Sequence, residues 1–174
     1  MTDIALTLYS AYLAGPMRGI EEYNFPAFHK EADWLRSKGW KIFSPAERDE
    51  ADPTIDPKRN IAGWHGSRGL DYFMSFDLKA VCEHEAVILM KGWETSQGAR
   101  LEAMVAVEID HPVFEIVRGP RALRSRSTRA WKRLVSVSNA RVAAEFIAGT
   151  KAYRELPVLQ AYEPVGPAAE IARS

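Results

Sequence analysis

Cysteine is nearly absent from this sequence: Cys82 stands alone among 174 residues. No internal disulfide is available to it, which fits a reducing compartment, and Cys82 reads as a small buried apolar residue on a helix. Long apolar runs are missing as well. Nothing approaches the roughly 18 uninterrupted apolar residues that a bilayer span needs, and the opening MTDIALTLYSAYLAG has no basic segment of the kind that begins a secretory signal. A cytoplasmic protein without membrane association is expected. Net charge is also missing, since 23 Lys and Arg face 23 Asp and Glu. That balance leaves no global field to draw in nucleic acid or an anionic membrane. The histidines (His29, His65, His84 and His111) show no HExxH or comparable spacing with the acids. No metal and no cofactor are expected.

What is present is an alternation. The apolar fraction of 47% with 26% charged residues is that of a globular chain, and the length suits one domain with an appendage. Leu6 to Ala14 is an apolar and aromatic run ending at Gly15-Pro16, the pattern of a buried first strand. A helix follows, with Asn24 as N-cap, Pro26 in its first turn, Phe28, Ala32 and Leu35 on one side, and Gly39 as its stop. Trp40 to Phe43 reads as a second strand. Glu47 to Arg68 is polar, contains Pro53 and Pro57, and reads as a long loop suited to a lid. Leu70 to Glu83 has helical spacing, Ala86 to Met90 is a short buried strand, GWETSQGA a loop, Arg100 to Ile109 a helix, and Val113 to Val117 a further strand. Strand and helix alternating in this way predict an α/β fold of Rossmann or flavodoxin-like type, a parallel sheet with helices on both faces and ligands at the carboxyl ends of its strands.

After Gly119-Pro120 the composition turns basic, with Arg121, Arg124, Arg126, Arg129, Lys132, Arg133 and Arg141 and no acid until Glu145. A boundary is placed there, giving an α/β domain over 1–118 and a basic C-terminal helical extension and tail over 119–174. Trp131 to Ile147 is expected to be a basic amphipathic helix, and the proline-bearing end to be loosely structured.

Three segments sit where such a sheet builds its site. In Tyr12-Leu13-Ala14-Gly15-Pro16-Met17-Arg18-Gly19, the glycines allow close backbone approach and Arg18 offers a planar cation for phosphate or carboxylate. In Gly92 to Glu102, Ser96 is an N-cap whose helix start favours an anion, and Glu102 lies about one and a half turns further in. Asp77 lies on the helix Leu70 to Glu83, on its exposed stripe or turned inward. His65, Asp71 and Glu85 are further candidates.

Taken in order, YLAGPMRG, YNFPAF, the Asp77-Leu78 pair and GWETSQGARLE resemble the nucleoside 2-deoxyribosyltransferase-like family, including 2'-deoxynucleoside 5'-monophosphate N-hydrolases and short phage and bacterial proteins of the DUF4406 type. The resemblance covers roughly Leu8 to Val117. It implies that Glu102 is the nucleophile, Asp77 the catalytic aspartate and Tyr12 the tyrosine that orients the nucleophile. It also implies that Met17, Arg18 and Gly19 belong to a nucleotide-contacting turn, with Gly15 and Pro16 in the same segment. Transferases acting on free nucleosides tend to carry an Asp where Ser96 stands, whereas Ser96 and Gly98 match residues that hold a 5'-phosphate. A nucleoside 5'-monophosphate is therefore the favoured substrate over the free nucleoside. Two positions depart from the pattern: Arg100 replaces a common glycine, which leaves substrate choice open and gives it the length to crowd the pocket, and Glu85 replaces a common aspartate.

The activity implied is cleavage of an N-glycosidic bond through a glycosyl-enzyme, by hydrolysis or by transfer to a second base. Relatives of this kind commonly form homodimers or larger homo-oligomers with sites completed across the interface, and exposed Trp131 and Phe146 would suit such contacts. Two other readings stay open. One is a non-catalytic sensor of a nucleotide or NAD derivative; the other is a nucleic-acid accessory protein acting through the basic segment 118–141.

Overall fold

The structure is a computed structural model that describes residues 10–53, 55, 70–118 and 132–154. Strand β1 (Ser10–Ala14) leads through a turn to helix α1 (Phe25–Arg36), then β2 (Lys41–Phe43), α2 (Pro45–Glu50), α3 (Leu70–Glu83), β3 (Ala86–Leu89), α4 (Gln97–Glu108), β4 (Val113–Arg118), β5 (Lys132–Ser136) and α5 (Asn139–Arg154). The sheet order is β2-β1-β3-β4-β5. The first four strands are parallel and β5 runs antiparallel to β4. This is the flavodoxin-like order, whose direction of winding reverses between β1 and β3 and so opens a crevice at their carboxyl ends.

Period-two alternation divides the core between the two faces. Tyr12, Ala14, Val87 and Leu89 join Val81, Ala99, Ala103 and Val142 from α3, α4 and α5. Ala11, Leu13, Ala86 and Ile88 join Phe25, Phe28, Ala32 and Leu35 from α1. The sheet is thus covered on both sides, as expected. Among the described residues no helix is long and apolar enough to cross a membrane.

Several local expectations are corrected. Trp131 to Ile147 is not one helix: Lys132–Ser136 is a strand and α5 begins at Asn139. The long loop expected from Glu47 begins as a helix, α2, and of the rest only 51–53 and 55 lie within the described residues up to 69. Cys82 is exposed on α3 rather than buried. Asn24 does precede α1, but at φ 63° with no side-chain cap; its Nδ2 donates instead to the Pro16 carbonyl at 2.8 Å. Leu6 to Tyr9, Trp131 and the residues after 154 lie outside the described residues, and Phe146 is half-buried rather than exposed.

Part of the basic charge after residue 117 is spent inside the fold. Arg118 and Lys132 both pair with Glu31, which is only 3% exposed on α1, and the Lys132 ammonium lies 4.1 Å from the Trp34 ring centroid.

Gly15, just past β1, is required by packing. A Cβ there would stand 3.0 Å from both Cβ and Sδ of Met90 and 3.2 Å from Phe28 Cζ. Gly15→Ala is expected to lower stability by about 1–3 kcal/mol, the usual effect of overfilling a packed site, measurable as a lower midpoint in urea unfolding. An unchanged midpoint would remove packing as the reason for glycine.

Candidate active site

The crevice between β1 and β3 collects the residues that the sequence singled out. Tyr12 points from mid-β1 to the α4 side and is fully buried, with its ring stacked 5.7 Å from that of Phe43. Its hydroxyl donates to Glu102 Oε1 at 3.0 Å. Glu102, one turn beyond Gly98 on α4, is 5% exposed, and Asp77 on α3 is 6% exposed. Asp77 is therefore the inward-turned acid of its helix, not a member of the solvated stripe. Three ionisable side chains from three elements share one desolvated space.

Their proton affinities follow from that burial. Desolvation pushes the Glu102 carboxyl well above the usual glutamate range, the Asp77 charge pushes it the same way, and the hydrogen bond from Tyr12 opposes both. Burial likewise raises Asp77 to about 6 against the pull of Arg48, the Tyr12 hydroxyl and Arg18. Tyr12 is raised by burial and by the two acids, so it stays a donor. Two carboxyl groups in one desolvated space favour a shared proton over two charges.

Around this centre, Ser96 caps α4, its Oγ accepting from the Ala99 amide at 3.3 Å. The first turn of α4, which follows β3 in the chain, is a helix start of the kind that favours an anion. Gly98 keeps the space beside the Glu102 carboxyl open: a Cβ there would meet Glu102 Oε1 at 3.9 Å and Met74 Cε at 3.7 Å. The turn after β1 lies beside the turn after β3, since a Cβ on Gly92 would be 3.5 Å from Pro16 Cγ. In that turn Met17 packs on the α1-side core, while Arg18 and Gly19 are exposed and Gly19 adopts φ 73°. Arg18 is close enough to Asp77 to attract its charge. The backbone then makes a left-handed turn at Glu22, Tyr23 and Asn24, with φ of 49°, 51° and 63°. Such a conformation costs roughly 1–2 kcal/mol per non-glycine residue, and the Asn24 to Pro16 hydrogen bond ties its end to the site turn.

Arg100 does not crowd the pocket. Its Nη1 donates to the Glu94 carbonyl at 2.5 Å and its guanidinium lies flat against Gly149 of α5, where a Cβ would be 2.3 Å from it. Helix α5 grips the same loop a second time, through Arg141: its guanidinium bonds Glu94 at 2.8 Å and Glu115 at 2.5 Å and lies 5.5 Å from the Trp93 ring centroid.

The remaining candidates lie elsewhere. Glu85 accepts from the Ser10 amide at 2.8 Å, at the amino end of β1 and away from the crevice. Asp71 is exposed in the first turn of α3, and His65 lies outside the described residues. No group of His, Cys, Asp and Glu among the described residues has the arrangement of a metal site.

Sequence reasoning missed Arg48 and Asp49 on α2. Asp49 is 6% exposed and paired with Arg48, whose Nη2 also lies 3.8 Å from Asp77 Oδ1. Burial lifts Asp49 to about 7. A signal for α2 was available, because Ser44-Pro45-Ala46-Glu47 has the N-cap, N1 and N3 residue types of a helix start, although Ser44 makes no side-chain cap bond here.

The model of one protein family, described as a domain of unknown function (DUF4406), matches residues 9–115, a span that contains Tyr12, Asp77, Ser96 and Glu102. No curated protein matches the chain.

Proposed function

The chain belongs to the DUF4406 family, and from that premise we propose that it cleaves the N-glycosidic bond of a nucleoside 5'-monophosphate, with Glu102 as nucleophile. The observation that carries the reading is the buried Tyr12–Glu102 hydrogen bond beside Asp77. It provides one carboxylate to attack, one to hold a proton, and a hydroxyl to fix the first. The likeness of YLAGPMRG and GWETSQGARLE to nucleoside 2-deoxyribosyltransferase-like proteins points to the same chemistry.

The bond breaks through an oxocarbenium-like state in which positive charge develops at C1'. That charge favours ionised Glu102, so the proton shared by the two acids resides on Asp77. As the C1'–N bond breaks, its electron pair passes to the base, which takes the Asp77 proton, and a Glu102 oxygen bonds to C1'. Water then attacks C1', releases Glu102 and returns a proton to Asp77; a second base in place of water gives transfer. The α4 amino terminus with Ser96, and Arg18 at the rim, are the groups suited to the 5'-phosphate.

The test is to incubate the protein with deoxynucleoside and ribonucleoside 5'-monophosphates and the matching free nucleosides, with and without a second base, and to follow free base by chromatography. Release from monophosphates is the expected result; no release from any compound, with or without acceptor, overturns the reading. Ser96→Asp is expected to cut kcat/KM for monophosphates by about a hundredfold, an anion facing an anion in a poorly solvated site, while sparing free nucleosides. Equal losses on both would deny Ser96 a place at the phosphate.

A further inference from the structure

The reading above leaves a second buried ion pair without a task. Arg48 approaches the proposed acid, and Asp49 lies against Arg48 on the same helix. Arg48 Nη2 pairs with Asp49 and stands 3.8 Å from Asp77 Oδ1. Its guanidinium is held over the Phe76 ring at 4.9 Å and the Phe73 ring at 5.8 Å, so it is not free to follow one carboxylate. Asp77 Oδ1 and Arg48 Nε are buried without a hydrogen-bond partner. One cation thus stands between two acids, closer to the one on its own helix.

We propose that Asp49 is a positioning residue that keeps a proton on Asp77, because it takes up most of the charge of the Arg48 guanidinium and leaves Asp77 too little to hold it ionised. The proposal rests on the reading of Asp77 as proton donor. The groups facing Asp77 are Tyr12 from β1, Glu102 from α4, Arg18 from the turn after β1, and the Arg48–Asp49 pair from α2. Asp49 is faced by Arg48, Asp77 and Asp52, the last of which accepts from the Tyr72 hydroxyl at 3.0 Å. Glu102 and Asp49 disfavour a charge on Asp77; Arg48, Arg18 and Tyr12 favour it. Of the disfavouring groups only Asp49 acts by occupying the cation.

Two substitutions separate this role from a purely structural one by moving the same quantity in opposite directions. In Asp49→Asn the guanidinium is released to Asp77, whose titration midpoint falls by about one pH unit; in Arg48→Met, which keeps an unbranched side chain over the two rings, it rises by a similar amount. The midpoint is read by carboxyl carbon NMR of the ligand-free protein, with Asp77→Asn to assign the signal. The alkaline limb of base release moves with it in both variants. An unmoved midpoint in Asp49→Asn, or displacement of both variants in one direction, overturns the proposal. The NMR arm needs no turnover: opposite displacements in a protein that releases no base would uphold the charge division while sinking the glycosidase reading.

Discussion

Glu102→Gln is expected to lower kcat for base release by at least about 10⁴-fold, as removal of a nucleophile does, and to make the protein more stable at alkaline pH. The two effects share one cause. Because burial holds the Glu102 carboxyl above its ordinary range, the folded state binds that proton more tightly than the unfolded chain. Its contribution to stability is full below the unfolded value of about 4.3 and is lost as pH rises through the folded value. Asp77, raised to about 6, and Asp49, raised to about 7, act with the same sign. The wild-type protein should therefore weaken between about pH 5 and pH 8, and Glu102→Gln should weaken less, since it has no proton to lose. Urea unfolding at the two ends of that range measures the difference. A stabilised, inactive variant is the mark of a residue kept for chemistry at a cost to the fold. Wild-type turnover in Glu102→Gln would end the assignment, and an equal pH slope would show that Glu102 ionises freely.

Asp77→Asn is expected to slow release of an ordinary purine or pyrimidine by about 10²–10⁴-fold, the usual contribution of a general acid. The loss depends on the leaving group. A nucleotide whose purine carries a fixed positive charge through N7-methylation departs without a proton, so its cleavage should be largely spared. In the wild type, activity on an ordinary base should fall as pH rises and Asp77 gives up its proton; in Asp77→Asn that alkaline limb should vanish. Equal losses on both substrates would make Asp77 a residue for ground-state binding or packing rather than proton transfer.

The parts of this site that the sequence revealed are those set by local rules. Ser96 is a helix cap by residue type and forms the cap, which put Glu102 in the early turns of α4. Gly15 closes an apolar strand and marks where β1 gives way to the site turn. The parallel α/β class followed from the alternation of strand and helix, because each strand from β1 to β4 is short and bounded by turn residues, but the strand order did not, since Rossmann and flavodoxin-like windings share that alternation. The inward direction of Asp77 was not legible: Phe76 beside it is 43% exposed, and only the packing of α3 on α4 settles which stripe faces in. Asp49 was hidden for a different reason. Helix α2 is six residues long, too short to display a period, and the acid that its Arg48 approaches, Asp77, lies on a different helix far along the chain. Strand β5 was misread because Leu134 and Val137 stand three residues apart, as on a helix, and the strand is only five residues long; pairing with β4 decides its conformation, and nothing local announces that pairing.

That pairing bears on how the protein withstands its own neighbours. The family match ends at residue 115, within β4, whose Val113, Phe114, Ile116 and Val117 form an apolar ribbon. Without β5 its outer backbone groups would stand open as a template for any other chain in extended form. What closes the row instead is β5, and an edge strand only five residues long offers little template for further additions to the sheet. Residues 132–136 thus act as a gatekeeper against intermolecular sheet growth, and a fragment cut at the family boundary would be expected to collect as aggregate rather than persist as separate molecules.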